Sequence, residues 1–191
     1  MPSEPTDPRA LALDRGDALV LLIDVQEKLA RAMPAEGMAR LKKNAAVLLK
    51  VARRLGLPIV ASEQYRKGLG ETVPELLHLL PKEPIEKLEF SCGASKPVAR
   101  EIVQTGRKQV VVVGMEAHVC VFQTVRDLLR GGFAVFLPQD AVVSRSEENC
   151  QVGLRLSEKA GATVTSTETI VFDLLGVAGT PEFKELAPLI R

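Results

Sequence analysis

The stretch VVVGMEAHVCVFQTVRDLL, residues 111–129, contains the pattern on which the prediction of the fold rests. It begins with an apolar run, which is typical of a strand covered on both faces of a parallel sheet. It continues with Phe122, Val125 and Leu128 at helical spacing, which predicts an amphipathic helix. Cys120 lies at the turn between the two, where neither the strand nor the helix requires a sulfur.

The same strand-then-helix unit recurs along the chain. Strands are predicted at residues 18–25, 57–63, 84–90, 108–116, 133–140 and 162–166, and helices at 38–56, 95–106, 118–132 and 146–161. Two short helices are expected near the end, in ETIVFDLL and PEFKELAPLI, the second as an interface element. The alternation predicts an α/β fold with three α/β/α layers and a mostly parallel, six-stranded, Rossmann-like sheet.

Composition limits the classes of function. The 191 residues suit one domain, 1–191, and 46% hydrophobic with 26% charged residues is typical of a globular core. Because 25 basic side chains nearly balance 24 acidic ones, long-range attraction to nucleic acid or to anionic lipid is not expected. We therefore predict a small-molecule substrate, with neither nucleic acid nor a membrane as partner.

The compartment is predicted from the cysteines and the N-terminus. Cys92, Cys120 and Cys150 cannot all pair, and their spacing fits neither zinc nor a disulfide framework. The N-terminal residues lack a basic-then-apolar signal pattern, and no apolar run approaches the roughly 20 residues that span a bilayer. These features favour a reducing, cytoplasmic setting.

Reactive side chains follow several of the predicted strands. In parallel sheets ligands bind beyond the carboxyl ends of the strands, at a switch in strand order. Asp24 ends the first strand, the loop SEQYRKGLG (62–70) follows the second, Lys87 lies in the third and Cys120 follows the fourth. These segments are therefore expected to converge at one edge of the sheet.

Cys120 has two interpretations. At the start of a helix, the dipole favours a thiolate and free amides can hold an oxyanion, which predicts a nucleophile; a free cysteine also commonly packs in a core. His118 is a poor base, because residues two apart on a helix are separated by roughly 200°. Asp24 is the better candidate base, and Lys87 is its candidate partner. The alternative for Asp24 is a residue that hydrogen-bonds within a loop, and the alternative for Lys87 is a solvated charge on an edge strand.

Three segments carry a resemblance to a known family. LLIDVQEKL, EKLEFS and VVVGMEAHVCVFQTVRDLL are similar to the Asp, Lys and Cys signatures of the isochorismatase-like cysteine hydrolase superfamily. The similarity runs from about residue 16 to 176, which leaves a short N-terminal extension and a C-terminal helix. SEQYRKGLGETVPEL, QDAVVSRS, AGATVTSTETIVFDLLG and EFKEL resemble the branch of isochorismatase domain-containing proteins.

The resemblance implies a catalytic triad. Cys120 would be the nucleophile, Asp24 the general base and then acid, and Lys87 their electrostatic partner. The family's non-proline cis peptide, transferred here, falls between Glu116 and Ala117. The backbone amides of Ala117 and Cys120 would then form the oxyanion hole.

Departures from relatives narrow the chemistry. Nicotinamidases of the superfamily hold a metal with histidines after the second strand, where this chain reads ASEQYRKG, so we predict no metal and no cofactor. Isochorismatases proper lack the nucleophilic cysteine, which argues against isochorismate as the substrate. Glu63, Gln64 and Tyr65, together with Glu116, are the candidate substrate-binding residues, and an ordered surface loop is the alternative for the first three.

The hypothesis is a metal-free hydrolase that cleaves a small amide, ureide or related C–N substrate through a thioester, in a homo-oligomer (dimer or tetramer). A non-catalytic interaction scaffold and a thiol redox sensor, with Cys92 as the resolving cysteine, are the alternatives. Cys92 and Cys150 are otherwise expected to pack in the core. Asp140 is expected to tie down loops, and Asp127 to be a charge on a helix surface.

Overall fold

The computed structural model describes residues 11–190, which form a seven-stranded sheet with helices on both faces. The strands are β1 (Ala18–Ile23), β2 (Ile59–Gln64), β3 (Ile85–Lys87), β4 (Gln109–Met115), β5 (Ala134–Pro138), β6 (Val142–Val143) and β7 (Thr163–Thr165). They lie in the order β3-β2-β1-β4-β5-β7, and β6 pairs with the end of β4. Every paired strand runs parallel to its neighbour.

The helices connect the strands across the two faces. They are α1 (Glu27–Ala30), α2 (Ala35–Leu55), α3 (Arg66–Leu69), α4 (Pro74–Leu77), α5 (Lys96–Gln104), α6 (Phe122–Arg130), α7 (Glu147–Ala160), α8 (Thr167–Leu175) and α9 (Pro181–Leu186). A π-helical turn, Ala117–Val121, precedes α6, and 3₁₀ turns occupy Gln139–Ala141 and Ala187–Ile190. Between residues 11 and 190 no helix has the length and apolar character needed to cross a bilayer.

Two apolar cores lie on opposite faces of the sheet. Successive strand residues point to opposite faces, so Ala18, Val20 and Leu22 pack with α2 and α8, whereas Leu19 and Leu21 pack with α5, α6 and α7. Burial on both faces is why β1 and β4 read as continuous apolar runs. The predicted three-layer α/β/α class is therefore confirmed.

Some boundaries differ from the prediction. The sheet has seven strands rather than six, because β6 is a two-residue strand too short to give a pattern. The third strand covers Ile85–Lys87 rather than 84–90; Leu88 and Phe90 beyond it are exposed. Residues 1–10 of the expected N-terminal extension lie outside the described part of the chain. The division of the chain into one domain stays a prediction.

Candidate active site

The order of the strands reverses between β1 and β4. From β1 the chain moves outward through β2 to β3, and then crosses back to place β4 on the other side of β1. Ile23 is in register with Gly114 at the carboxyl ends of these two neighbours. Asp24 and the turn that bears Cys120 come directly after them, so the switch point is where reactive side chains were expected.

Asp24 has no exposed surface and is held by two side chains. Its Oδ1 accepts a hydrogen bond from Ser62 Oγ at 2.8 Å, and its Oδ2 accepts one from Lys87 Nζ at 2.7 Å. The backbone of Asp24 has a φ of 52°, in the left-handed region that Asp tolerates better than most residues. This turn breaks the strand alternation and places the carboxylate beside Ser62, on the face that carries Cys92.

Lys87 forms a buried ion pair with Asp24. Besides that carboxylate, its ammonium contacts Gln64 Oε1 at 2.8 Å and the carbonyl oxygens of Glu89 and Phe90 at 3.2 and 3.1 Å. A buried charge is tolerated only when it is paired and hydrogen-bonded. The edge strand β3 therefore holds its lysine inward, which excludes the alternative of a solvated surface charge.

Cys120 lies in the π-helical turn and is 5% exposed. Burial raises the pKa of its thiol well above the ordinary value; the charge of Asp24 and a hydrogen bond to Asp24 raise the pKa further, while Lys87 lowers it. Burial and the neighbouring carboxylate thus oppose the thiolate that a helix start would favour, and the nucleophilic role of Cys120 stays a prediction. The structure instead brings a protonated thiol against the Asp24 carboxylate.

Cys92 packs behind the ion pair. It is fully buried, its Sγ lies 3.4 Å from Ser62 Oγ, and its amide donates to Thr124 Oγ1 at 2.9 Å. Burial raises the pKa of Cys92 to about 11, and the charge of Asp24 adds to the increase. The prediction of a packed thiol is confirmed here, and also for Cys150, which is 2% exposed on α7.

Within residues 11–190, neither the Ala117 amide nor the Cys120 amide donates to an acceptor outside the turn. The cis peptide is Met115–Glu116. The predicted position between Glu116 and Ala117 is therefore wrong by one residue, and the assignment of the Ala117 amide to the oxyanion hole, which followed from that position, loses this support. The turn is π-helical, with Val121 N–H bonded to the Glu116 carbonyl at 3.2 Å, so it contains one residue more than an α-helical count allows.

Two neighbours on β2 have different surroundings. Gln64 lies on the catalytic face, where Oε1 accepts from Lys87 and Nε2 donates to the Leu88 carbonyl at 2.7 Å. Glu63 points to the opposite face, as strand alternation requires. Its Oε1 accepts from the amide and hydroxyl of Thr72 at 2.6 and 2.8 Å, and its Oε2 pairs with Arg66. Glu63 thus braces the loop beside a cleft of about 490 Å³ that it lines with Arg66.

The other two predicted substrate-binding residues also differ from each other. Tyr65 is 49% exposed, at a φ of 38°, with its ring against Gly68. Glu116 is nearly buried, and its Oε2 accepts from both the amide and Nε of Arg145 at 3.0 Å. The Glu116 carboxylate is therefore already bound by protein groups, whereas half of the Tyr65 surface is open to solvent. Substrate binding by these residues stays a prediction.

The sequence-based analysis did not include Ser62 and Gln26, which position this site. Gln26 is buried; its Nε2 donates to the carbonyls of Gln64 and Gly70 at 3.0 and 2.6 Å, and its Oε1 accepts from Gln64 N–H at 2.7 Å. Ser62 could have been found because it lies two residues before Gln64 and so on the same face. Gln26 gave a weaker signal, as a polar residue two positions after Asp24.

The remaining polar candidates have structural partners. His118 Nδ1 lies 3.0 Å from Ser144 Oγ, and His78 Nδ1 lies 3.0 Å from the Pro74 carbonyl. Asp140 holds the start of α8, as expected, by accepting from the amide and hydroxyl of Thr167. Asp127 is a helix-surface charge near Arg126 and Arg130. Within the described residues, no three His, Cys, Asp or Glu side chains cluster as metal ligands would.

Comparisons with known proteins match this chain along most of its length. Residues 18–169 match the family model described as the isochorismatase domain. Isochorismatase domain-containing protein 2 of Bos taurus is 33% identical over 178 residues, which cover 92% of this chain and 84% of that protein. The structure titled MAR1 ribonuclease from Caenorhabditis elegans superposes with a TM-score of 0.86 at 35% identity, covering 94% of this chain and 92% of the other.

A further solved structure bears on assembly. The YcaC gene product of Escherichia coli, titled an octameric hydrolase of unknown specificity, superposes with a TM-score of 0.87 at 25% identity. The superposition covers 98% of this chain and 91% of that one. The residues that match the family model, 18–169, contain Asp24, Lys87 and Cys120.

Proposed function

Because the chain belongs to the isochorismatase family, we propose that it is a cysteine hydrolase that cleaves a C–N bond in a small amide, ureide or related acyl compound. The family membership predicted from the sequence motifs is confirmed, and it supports a hydrolytic role. The finer proposal is supported by one observation. The Asp24 carboxylate pairs with the Lys87 ammonium at 2.7 Å, and after burial the charge of Asp24 is the next cause that raises the pKa of the Cys120 thiol.

The first half of the reaction forms a thioester. Asp24 takes the proton of the Cys120 thiol as the sulfur attacks the carbonyl carbon, so the thiolate forms only as the new C–S bond develops. A resting thiol with a raised pKa is compatible with this order, because the base is already in contact with the sulfur. Lys87 offsets the negative charge that the buried site carries before the proton moves.

The oxyanion is assigned to two backbone amides. As the carbonyl becomes tetrahedral, its oxygen gains a negative charge that needs donors in a water-poor site. The amides of Ala117 and Cys120 lie in the turn that bears the nucleophile, and neither donates to an acceptor outside that turn within residues 11–190. Their place in the turn that bears the nucleophile supports this assignment.

The second half releases the products. Asp24, now protonated, gives its proton to the leaving nitrogen as the C–N bond breaks and the carbonyl re-forms. Water then attacks the thioester, with Asp24 accepting the water proton, and the sulfur leaves and is re-protonated. The net reaction adds one water molecule across the C–N bond. None of these reaction steps requires a metal ion or a cofactor.

The two alternatives from the sequence lose support. Redox-sensing thiols are accessible and have a low pKa, whereas burial raises the pKa of both Cys92 and Cys120. For an interaction scaffold, a buried Lys–Asp pair offers no advantage, because apolar replacements of such pairs are commonly neutral or stabilising. The retention of Asp24 and Lys87 at 0% side-chain exposure therefore favours chemistry.

RNA is a less suitable substrate than a small acyl compound. The name ribonuclease belongs to the structurally similar MAR1 protein of Caenorhabditis elegans. This chain has nearly balanced charge, 25 basic and 24 acidic residues, which gives little general attraction to phosphates. His118, within the turn, contacts Ser144. We therefore propose a small-molecule substrate. We also propose that the protein forms a homo-oligomer, which the octameric relative supports. The cytoplasmic setting likewise stays a proposal.

Acyl trapping on the intact protein tests the function. Wild type is incubated with a panel of small amides and ureides and with p-nitrophenyl acetate, and intact-mass and peptide mass spectrometry then locate any acyl group. Cys120→Ala is the test variant, and Cys150→Ala, a buried cysteine on another element, is the matched control. We expect an acyl adduct at residue 120 in wild type and in Cys150→Ala, and turnover that Cys120→Ala abolishes.

Two results would contradict the proposal. One is equal turnover of the same substrate by wild type and Cys120→Ala while both remain folded. The other is a wild-type protein that no acyl donor modifies at Cys120 but that cleaves RNA, which would favour the ribonuclease assignment.

A further inference from the structure

The turn that bears the proposed oxyanion amides is held by one neighbouring segment, residues 144–153. Arg145 binds the Glu116 carboxylate through its amide and its Nε, both at 3.0 Å. Ser144 contacts His118 Nδ1 at 3.0 Å. The two side chains that flank Ala117 in the turn are thus both fixed from the same side.

Gly153, on α7, lies directly against the main chain of the turn. A Cβ atom built at Gly153 would lie 2.6 Å from both the carbonyl carbon and the carbonyl oxygen of Ala117, and 2.7 Å from the amide nitrogen of His118. All three atoms belong to the Ala117–His118 peptide, which is main chain and cannot turn aside as a flexible side chain can. α7 therefore touches this peptide through the one residue type that leaves enough space.

The choice of glycine here follows from space rather than from conformation. Gly153 lies within a regular helix, Glu147–Ala160, and its φ lies outside the left-handed region. In a helix interior glycine is less favourable than alanine. The helix accepts a residue with poor helix propensity at the point where a methyl group would enter the turn.

We propose that Gly153 is a positioning residue for the oxyanion hole: it seats α7 against the Ala117–His118 peptide and so fixes the turn that presents the Cys120 amide. This inference rests on the proposed function. A methyl group at residue 153 would push the peptide away from α7. The Cys120 amide lies in the same tight turn, so its direction would change with it. Donors aimed at an oxyanion lose effect when they are displaced by a fraction of an ångström.

Two reactions at the same sulfur separate positioning from general damage. Acetylation of Cys120 by p-nitrophenyl acetate passes through an oxyanion, whereas alkylation by iodoacetamide displaces iodide and forms none. For Gly153→Ala we expect the acetylation rate to fall by at least about tenfold, the scale of losing part of an oxyanion-hole donor, and the alkylation rate to stay within about twofold of wild type. Ser157→Ala, another buried position on α7, is the control, and both rates should stay near wild type.

The outcomes separate this inference from the proposed function. If wild type is not acetylated at Cys120, the proposed function and the inference both fail. If wild type is acetylated and Gly153→Ala reacts equally fast, only the inference fails. A parallel loss of acetylation and alkylation would also overturn it, since the thiol rather than the amide would then be affected.

A second variant keeps the test open if Gly153→Ala does not fold. Leu154→Ala removes a buried side chain next to Gly153. The change weakens the packing that holds α7 in place, without adding an atom at the contact with the turn. We expect a smaller but selective loss of acetylation, about two- to fivefold. Unchanged acetylation in a folded Leu154→Ala protein would overturn the inference.

Discussion

The Lys87 ammonium lies 2.7 Å from the Asp24 carboxylate, and neither side chain is exposed to solvent. The lysine comes from the edge strand β3 and the aspartate from the end of β1, two strands away across the sheet. The ion pair therefore links the edge of the sheet to its switch point. Both the stability of the fold and the protonation of Cys120 depend on it.

Lys87→Met is expected to destabilise the protein strongly. The substitution leaves Asp24 as a buried carboxylate without its counter-ion, and breaking a buried pair typically costs about 3–5 kcal/mol. Urea unfolding should show that loss, together with loss of acyl transfer. Lys82→Met is the control, because the Lys82 side chain is 74% exposed in its ion pair with Glu101 and such pairs contribute less than about 1 kcal/mol.

A double variant checks the cause of that loss. Asp24→Asn together with Lys87→Met removes both charges and should recover part of the lost stability, although not the activity. If the double variant is as unstable as the sum of the single ones, the loss comes from packing rather than from an unpaired charge.

Asp24→Asn is expected to change two reactions of Cys120 in opposite directions. Without the carboxylate, the pKa of the Cys120 thiol is no longer raised by that charge, so more thiolate exists at a given pH and alkylation by iodoacetamide becomes faster. Acyl transfer loses its general base and should fall by about 10²–10⁴-fold. Stopped-flow and mass spectrometry measure the two rates, with Asp127→Asn, a surface charge, as the control.

The fold was predictable because each face of the sheet imposes a regular pattern. Apolar runs such as residues 18–25 and 108–116 gave the strands, and α2 and α7 followed from their apolar stripes. The π-helical turn and β6 gave no pattern, since each spans less than two turns or alternations. The counting error at the cis peptide has the same origin.

The site was partly predictable from position alone. Several predicted strands end at the same edge of the sheet. Asp24, Lys87 and Cys120 were identified there because their side chains can act as a base, a cation and a nucleophile. Glu63 was grouped with Gln64 because strand alternation was not applied to that pair. Gly153 was beyond sequence reasoning, because its contact with Ala117 joins elements that are far apart in the chain and shows only as a lack of space.

Stability is expected to fall at alkaline pH. Burial raises the pKa of Cys92 to about 11 in the folded protein, so the folded state holds a proton that the unfolded state begins to lose near pH 8.5. The contribution is complete below about pH 8.5 and decreases as pH rises towards about 11, by up to about 1.4 kcal/mol per pH unit. Urea titrations across this range should show a shallower slope for Cys92→Ser, which cannot titrate; an unchanged slope would exclude Cys92 as its source.

Ser62→Ala is expected to slow acyl transfer while the protein remains folded. Ser62 donates to Asp24 Oδ1 at 2.8 Å, and a hydrogen bond to a charged group contributes about 1.5–3 kcal/mol. Without it the carboxylate is free to rotate away from the sulfur, so the acetylation rate should fall about ten- to a hundredfold. Ser95→Ala is the control, because Ser95 is equally buried but its hydroxyl has no hydrogen-bond partner within the described residues. Equal rates in both variants would show that Asp24 does not depend on Ser62.

Gly114→Ala is expected to prevent assembly of the switch point. Gly114 has a φ of 131°, and a Cβ atom there would lie 2.1 Å from the Ile23 carbonyl oxygen, inside the β1–β4 pairing that precedes Asp24. Both strands must separate to admit it, so we expect no soluble folded protein, or a loss well above the roughly 1–2 kcal/mol of a left-handed alanine. Gly132→Ala isolates that conformational cost, because Gly132 has a φ of 78° and no atom within 4 Å of its Cβ position. Thermal unfolding measures backbone strain alone in Gly132→Ala, and strain plus steric overlap in Gly114→Ala. A similar small loss of stability in both variants would show that β1 and β4 can move apart at this point.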